Sequence, residues 1–295
     1  MKNFLLFSIP SLIWGSTWLA IKFQLGVVDP LISIFYRFLL AAVILLVYCR
    51  IKGKNLKYSG REHLFMLLLG LSLFGVNYWL VYMAELTLTS GLVAICFSTI
   101  TFLNIFNGAI FLKSKIRIYV LVSSIIGFAG VAMVFKDEIL NFTFSGGNSI
   151  AFFMAMVGAV IASLGNITSA YTQKHKMPVI QSNAFGMLYG ALSMFLLAML
   201  SGKAITFDFS TGYILSLLYL AVFGSVIAFT GYLTLLGKIG ADKSGYVALV
   251  IPIIALILST VFEGYQWSSI ALLGVFFIIL GNVLVLRRKK AEAEV

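Results

Sequence analysis

The chain has 295 residues, 61% hydrophobic and only 11% charged, with a net charge of +11. That balance leaves too little polar surface to cover a soluble domain, so lipid is the expected solvent. The basic residues fall in short runs between apolar stretches and form no continuous face, which argues against a nucleic-acid partner.

The first apolar run follows Lys2 as in a signal peptide, but it is too long, holds Trp14-Gly15-Ser16-Thr17-Trp18 and lacks a small-residue cleavage site. It is read as a first span, 3–23, followed by 30–50, 63–86, 89–112 and 117–136. The turn signal Ser145-Gly146-Gly147-Asn148 then separates these from 148–171, 178–200, 212–236, 241–262 and 267–286. Each is near the roughly 20 residues that a spanning helix requires. The predicted fold is an all-α integral membrane protein of ten transmembrane helices.

Loop charges test that count independently of hydropathy. Alternate loops gather Lys2, the run from Arg50 to Arg61, Lys113 to Arg117, Lys174 and Lys176, Lys238 and Lys243, and Arg287 to Lys290 on one side. Only Lys22, Lys136 and Lys203 fall on the other, and Arg37 alone lies within a span. The positive-inside rule therefore places both termini in the cytoplasm.

Five helices per half is an odd number, so a duplicated half must re-enter the membrane upside down. Phe74-Gly75 of the third span has a counterpart in Phe223-Gly224 of the eighth, and Ser90-Gly91-Leu92-Val93-Ala94 matches Ser244-Gly245-Tyr246-Val247-Ala248. The expected organisation is two inverted five-helix repeats, 1–140 and 141–295, in one membrane domain.

Ionisable or polar groups within spans are costly unless paired or wet, which makes each a candidate for function. Arg37 lies near the middle of the second span. It is either an anchor for a substrate carboxylate, one partner of a gate, or a structural cation bonded to helix carbonyls. Tyr78, Tyr82 and Glu85 fall at i, i+4 and i+7, on one face, and Trp14 and Trp18 share a face of the first span. Two aromatic stripes capped by a carboxylate would hold an ammonium group; the alternatives are an interfacial belt, packing and, for Glu85, a solvated acid at a loop end. Thr101 with Asn104, Ser163 with Asn166, and Ser225 with Tyr232 each share a helical face, to bond substrate or to join helices. Gly186 and Gly190 match a GxxxG pattern that suits close packing within the bundle.

Cys49 and Cys96 lie in separate apolar segments, and His63 and His175 on separate predicted loops, so neither a disulfide nor a metal site is expected. Without a nucleophile motif, paired acids or a Walker A sequence, no enzymatic activity and no cofactor is expected.

The runs Trp14-Gly15-Ser16-Thr17-Trp18 with Ala20-Ile21-Lys22, Pro30, Tyr36-Arg37-Phe38, Thr89-Ser90-Gly91, Gly240-Ala241-Asp242-Lys243 and Pro252 resemble the drug/metabolite transporter superfamily, in its EamA-type bacterial branch. The resemblance implies a central cavity lined mainly by the first, third, fourth, sixth, eighth and ninth helices. It also implies a bacterial inner-membrane protein that moves amino acids or similar metabolites, commonly outward. This chain departs from the family in having Ser98 where a proline is usual and Lys113-Ser114 and Gly264-Tyr265 where Gly-Glu pairs are usual. The resulting expectation is a secondary transporter of amino acids or related zwitterionic or cationic amines, working by alternating access as a monomer, with the small-molecule substrate and the lipid bilayer as its partners. Coupling to protons or sodium stays open, and import, reception without transport and scaffolding are the alternatives.

Overall fold

The computed structural model describes residues 2–262 and 267–287; the Gly264-Tyr265 pair and the basic run beyond Arg287 lie outside the described residues. The described chain is helical, in ten apolar helices: α1 (Lys2–Lys22), α2 (Pro30–Ile51), α3 (Gly60–Glu85), α4 (Gly91–Leu112), α5 (Ile118–Val134), α6 (Gly147–Lys174), α7 (Val179–Leu200), α8 (Thr211–Ile239), α9 (Ala241–Ser244 continuing as Tyr246–Phe262) and α10 (Ser269–Arg287). Eight are long and apolar enough to cross a membrane, while α5 and α10 are shorter.

Local chemistry sets the starts. Asp29 accepts from Leu31 N at 2.9 Å, and Pro30, which lacks an N–H to leave unpaired, opens α2. Ser59 and Glu62 form a capping box, which starts α3 at Gly60 and puts His63 on the helix instead of in the expected loop. There the His63 ring meets the Tyr189 hydroxyl at 2.8 Å.

Two helices leave α-geometry in midcourse. The segment Gly70–Gly75 of α3 and the segment Leu220–Ile227 of α8 are π-helical, and each contains its Phe-Gly pair. A π-turn frees backbone groups and re-aims side chains, and such turns concentrate at functional sites. In α8 the Leu220 carbonyl accepts from Ser225 Oγ at 2.9 Å.

Helices α1, α3, α4, α6, α8 and α9 surround the centre, with α2 lying along α7 and α5 along α10 at the flanks. Two of the helix contacts bring backbone against backbone, α5 on α10 and α7 on α3. A Cβ on Gly130 of α5 would fall 2.5 Å from the Gly274 carbonyl of α10, and one on Gly190 of α7 would fall 2.9 Å from the Gly70 carbonyl of α3. Gly190 thus packs inside the bundle, as its GxxxG setting suggests. Cys49 and Cys96 are free and buried, so they pack in the interior and do not face lipid.

The outward faces are apolar, with Ile118 69%, Phe153 67% and Leu200 77% exposed. Such a surface suits hydrocarbon and would aggregate in water. Away from the basic loops, Lys203 Nζ meets Asp29 Oδ2 at 3.0 Å and Tyr36 donates to the Thr206 carbonyl at 3.1 Å, tying the α1–α2 loop to the α7–α8 loop.

Candidate functional site

A cavity of about 110 Å³ lies at the centre, with side chains from α1, α3, α4, α6, α8 and α9. Its walls are largely aromatic: Trp14, Tyr78, Phe97, Phe229 and Tyr232. Trp14 stands edge-on to Phe229 at 4.9 Å and tilted on Tyr232 at 5.1 Å, while its Nε1 donates to the Gly224 carbonyl at 3.1 Å. The indole is therefore fixed at both ends, which favours a preformed wall.

Two amide side chains interrupt the rings. Asn77 and Asn166 are buried and line the cavity, and the Oδ1 of each has no hydrogen-bond partner among the described residues. An unpaired buried acceptor costs about 1–3 kcal/mol, so it persists where a ligand or water meets it.

Arg37 lies behind the wall at 1% exposure. Its Nε donates to Ser225 Oγ at 3.0 Å and its Nη2 to the Tyr78 hydroxyl at 3.4 Å, with the guanidinium 4.6 Å from the Tyr78 ring centroid and 5.1 Å from that of Phe38. Aromatic faces and two hydroxyls partly replace water for the cation, but Nη1 has no hydrogen-bond partner among the described residues. Gly224 makes the room: a Cβ there would lie 3.2 Å from Arg37 Nη2 and 3.1 Å from Thr17 Cγ2. Gly224 of α8 thus serves Trp14 and Arg37 together.

Further along the α3 face, the buried Tyr82 hydroxyl lies near Arg37 but meets no hydrogen-bond partner among the described residues. Glu85 is half-buried, and its buried Oε1 has no hydrogen-bond partner among the described residues. The expectation of a solvated acid at a loop end is corrected: α3 packs along α6 to its end and keeps Glu85 against the bundle.

A second cavity, about 510 Å³, opens at the end that carries the basic loops, between α4, α5, α6, α8 and α9. Lys115, Arg117, Lys174 and Lys238 line it, against one acid, Asp242. Lys243, expected in a loop, is instead buried with its Nζ 5.7 Å from the Tyr119 ring centroid. Asn104 lines this wider cavity, and Asn166, which lines the central one, donates to Asn104 Oδ1 at 3.3 Å. One amide pair separates the two spaces.

The EamA-like transporter family matches residues 1–136 and 149–287. The chain belongs to that family. This EamA-like chain is 26% identical over 282 residues to the protein PagO of Salmonella typhimurium, covering 96% of this chain and 92% of that one. It is 29% identical over 276 residues to YedA of Escherichia coli K12, named an uncharacterized inner membrane transporter, with 93% and 87% covered. A solved crystal structure shares the fold at a TM-score of 0.80 and 17% identity, covering 98% of each chain.

In this family member, Trp14, Tyr78, Asn166 and Tyr232 of the residues singled out from sequence line the central cavity, with Arg37 and Ser225 directly behind it. Thr101 Oγ1 donates to the Gly245 carbonyl at 3.1 Å, Asn104 Nδ2 to the Ala241 carbonyl at 3.3 Å, and Ser163 accepts from Asn107 at 3.0 Å, so these three join helices. Tyr82 and Glu85 lie outside the cavity lining, and the Trp18 side chain lies outside the described residues. Thr17, Asn77, Phe97 and Phe229 line the cavity without having been singled out. Asn77 carried a signal, since it is an uncharged polar residue within a span; a wall phenylalanine carries none.

Proposed function

We propose that the protein is a secondary transporter of small metabolites, amino acids or related zwitterionic or cationic amines, and that it works outward by alternating access from a bacterial inner membrane. The observation that carries this reading is the central cavity, where aromatic rings and buried unpaired amide oxygens meet among side chains from six helices, with a buried arginine that lacks an ion-pair partner among the described residues directly behind the wall. Rings and acceptors suit an ammonium group, and Arg37 suits a carboxylate. A cavity near 110 Å³ is well below the ~300–1,000 Å³ of drug-sized sites, which favours a small metabolite.

The two matched stretches, the paired π-segments and the matched Phe-Gly pairs support two inverted five-helix repeats that rock about this site. The concentration of basic residues at one end supports cytoplasmic termini. On that orientation the wide basic cavity faces the cytoplasm, and the Asn104–Asn166 pair is part of the barrier closed against it. The name of YedA supports the inner-membrane assignment.

The test is uptake into proteoliposomes of amino acids, polyamines and quaternary amines, with imposed proton or sodium gradients. Saturable flux of at least one amine is expected, and the gradient that drives accumulation identifies the coupling ion. Ligand-dependent stabilisation with no flux under any gradient would assign the protein to reception instead.

A further inference from the structure

The two asparagines at the barrier form a chain with a direction. The Ala241 carbonyl can only accept, so Asn104 must turn its Nδ2 to it, at 3.3 Å. That leaves Asn104 Oδ1 towards α6, where Asn166 must answer with its own Nδ2, also at 3.3 Å. Asn166 Oδ1 is then the loose end of the chain. It belongs to a side chain that lines the central cavity, is 1% exposed, and has no partner among the described residues. Rotating either amide by half a turn sets oxygen against oxygen or nitrogen against nitrogen, so the backbone carbonyl of α9 fixes which atom the cavity receives. Thr101, bonded to Gly245 at 3.1 Å, pins the same stretch of α9. The Oδ1 of the other amide, on Asn77, likewise has no partner among the described residues, and no such chain runs to it from a backbone carbonyl there. The Tyr232 hydroxyl lies where the amide N–H groups of both asparagines can donate to it, while Asn166 Oδ1 takes no hydrogen bond from it or from any other described residue.

We infer that Asn166 Oδ1 is the acceptor for an N–H of the substrate's amino group, with Asn104 as a positioning residue. The inference rests on the central cavity being the substrate site, and it narrows the substrate to protonated primary, secondary or tertiary amines. Aromatic walls alone would take a quaternary ammonium equally well. A directed acceptor refuses one, because the last N–H is gone and the oxygen stays buried and unpaired.

The experiment uses alanine and its N-methyl, N,N-dimethyl and N,N,N-trimethyl forms as competitors of amine uptake in proteoliposomes, with thermal shift of the purified protein as a second readout. Steric cost grows with each methyl, whereas the hydrogen bond disappears only at the last. The wild-type protein is expected to lose about tenfold or more in apparent affinity at that last step. Asn166→Leu should bring the last-step ratio to within about twofold of unity, and Asn104→Leu should leave an intermediate ratio because it frees the Asn166 amide to rotate. Tyr232→Phe should keep the step. An even decline through the series, or a last step that survives Asn166→Leu or vanishes in Tyr232→Phe, overturns the assignment. If no amine of any class binds or crosses, the reading of the cavity as a substrate site fails first, and this inference with it.

Discussion

The two cavities lie on either side of one pair of asparagines and share little chemistry. The central one is small, walled by rings and lined by buried groups, with Trp14 and Asn166 bonded to their neighbours; the other is several times larger and edged with exposed lysines and an arginine. Fixed, desolvated groups discriminate, because an unmatched ligand strands a buried partner. Exposed charges in a wide mouth attract over distance and discriminate little. The difference teaches that recognition and capture are divided between the two spaces, and three variants test the division at decreasing depth.

The deepest is Arg37→Met, which exchanges the buried cation for an apolar chain that can follow much of its path. Hydrogen bonds to a charged group are worth about 1.5–3 kcal/mol, so amino-acid uptake is expected to fall about ten- to a hundredfold. Membrane level and melting temperature should hold, since replacing a buried charge with an apolar side chain is often neutral or stabilising. Amines without a carboxylate should lose much less. If uptake of amino acids and plain amines falls equally, Arg37 holds the wall and not the substrate.

Trp14→Leu probes the wall itself. It removes two ring contacts, at 4.9 and 5.1 Å, and the bond to the Gly224 carbonyl. With aromatic pairs worth about 0.5–1.5 kcal/mol each, an apparent affinity about fivefold to tenfold weaker is expected for every substrate alike. Unchanged affinity, measured by competition, would move the site away from the rings.

How far this contrast could be read from the amino-acid string depends on which physical signal each part leaves there. Helices are legible because a membrane demands long apolar runs and biases the loop charges, and the ten expected segments are all helical in the described chain. The start of α3 moved by a turn because a capping box, a local hydrogen-bond pattern, outranks hydropathy at a helix end. Arg37, Trp14 and Tyr78 were legible as expensive or bulky residues in midspan. Phe229 was not, since nothing distinguishes a wall phenylalanine from Phe153, which is exposed on the outer face. Nor was Glu85, whose burial is decided by the helix packed against it. Asn104 and Asn166 were visible as polar faces; their directed bond depends on a carbonyl of α9 far away in sequence.

The smallest effect belongs to the wide cavity, and it separates capture from recognition most cleanly. Lys174 and Lys238 are exposed on its rim, at the ends of α6 and α8, so neutralising both as Lys174→Gln and Lys238→Gln removes two charges without touching a wall residue of the central site. Exposed charges are screened over about 10 Å at 0.1 M salt and about 3 Å at 1 M. Initial transport of an acidic amino acid presented from that side should therefore fall about twofold to threefold at low ionic strength, and wild type and variant should converge as salt rises. A zwitterion should respond less, and the N-methylation series not at all. A salt-independent loss would mean that these lysines act on the barrier or on the fold, and a variant that altered the N-methylation step would erase the division between the two cavities, because the rim would then take part in reading the amino group.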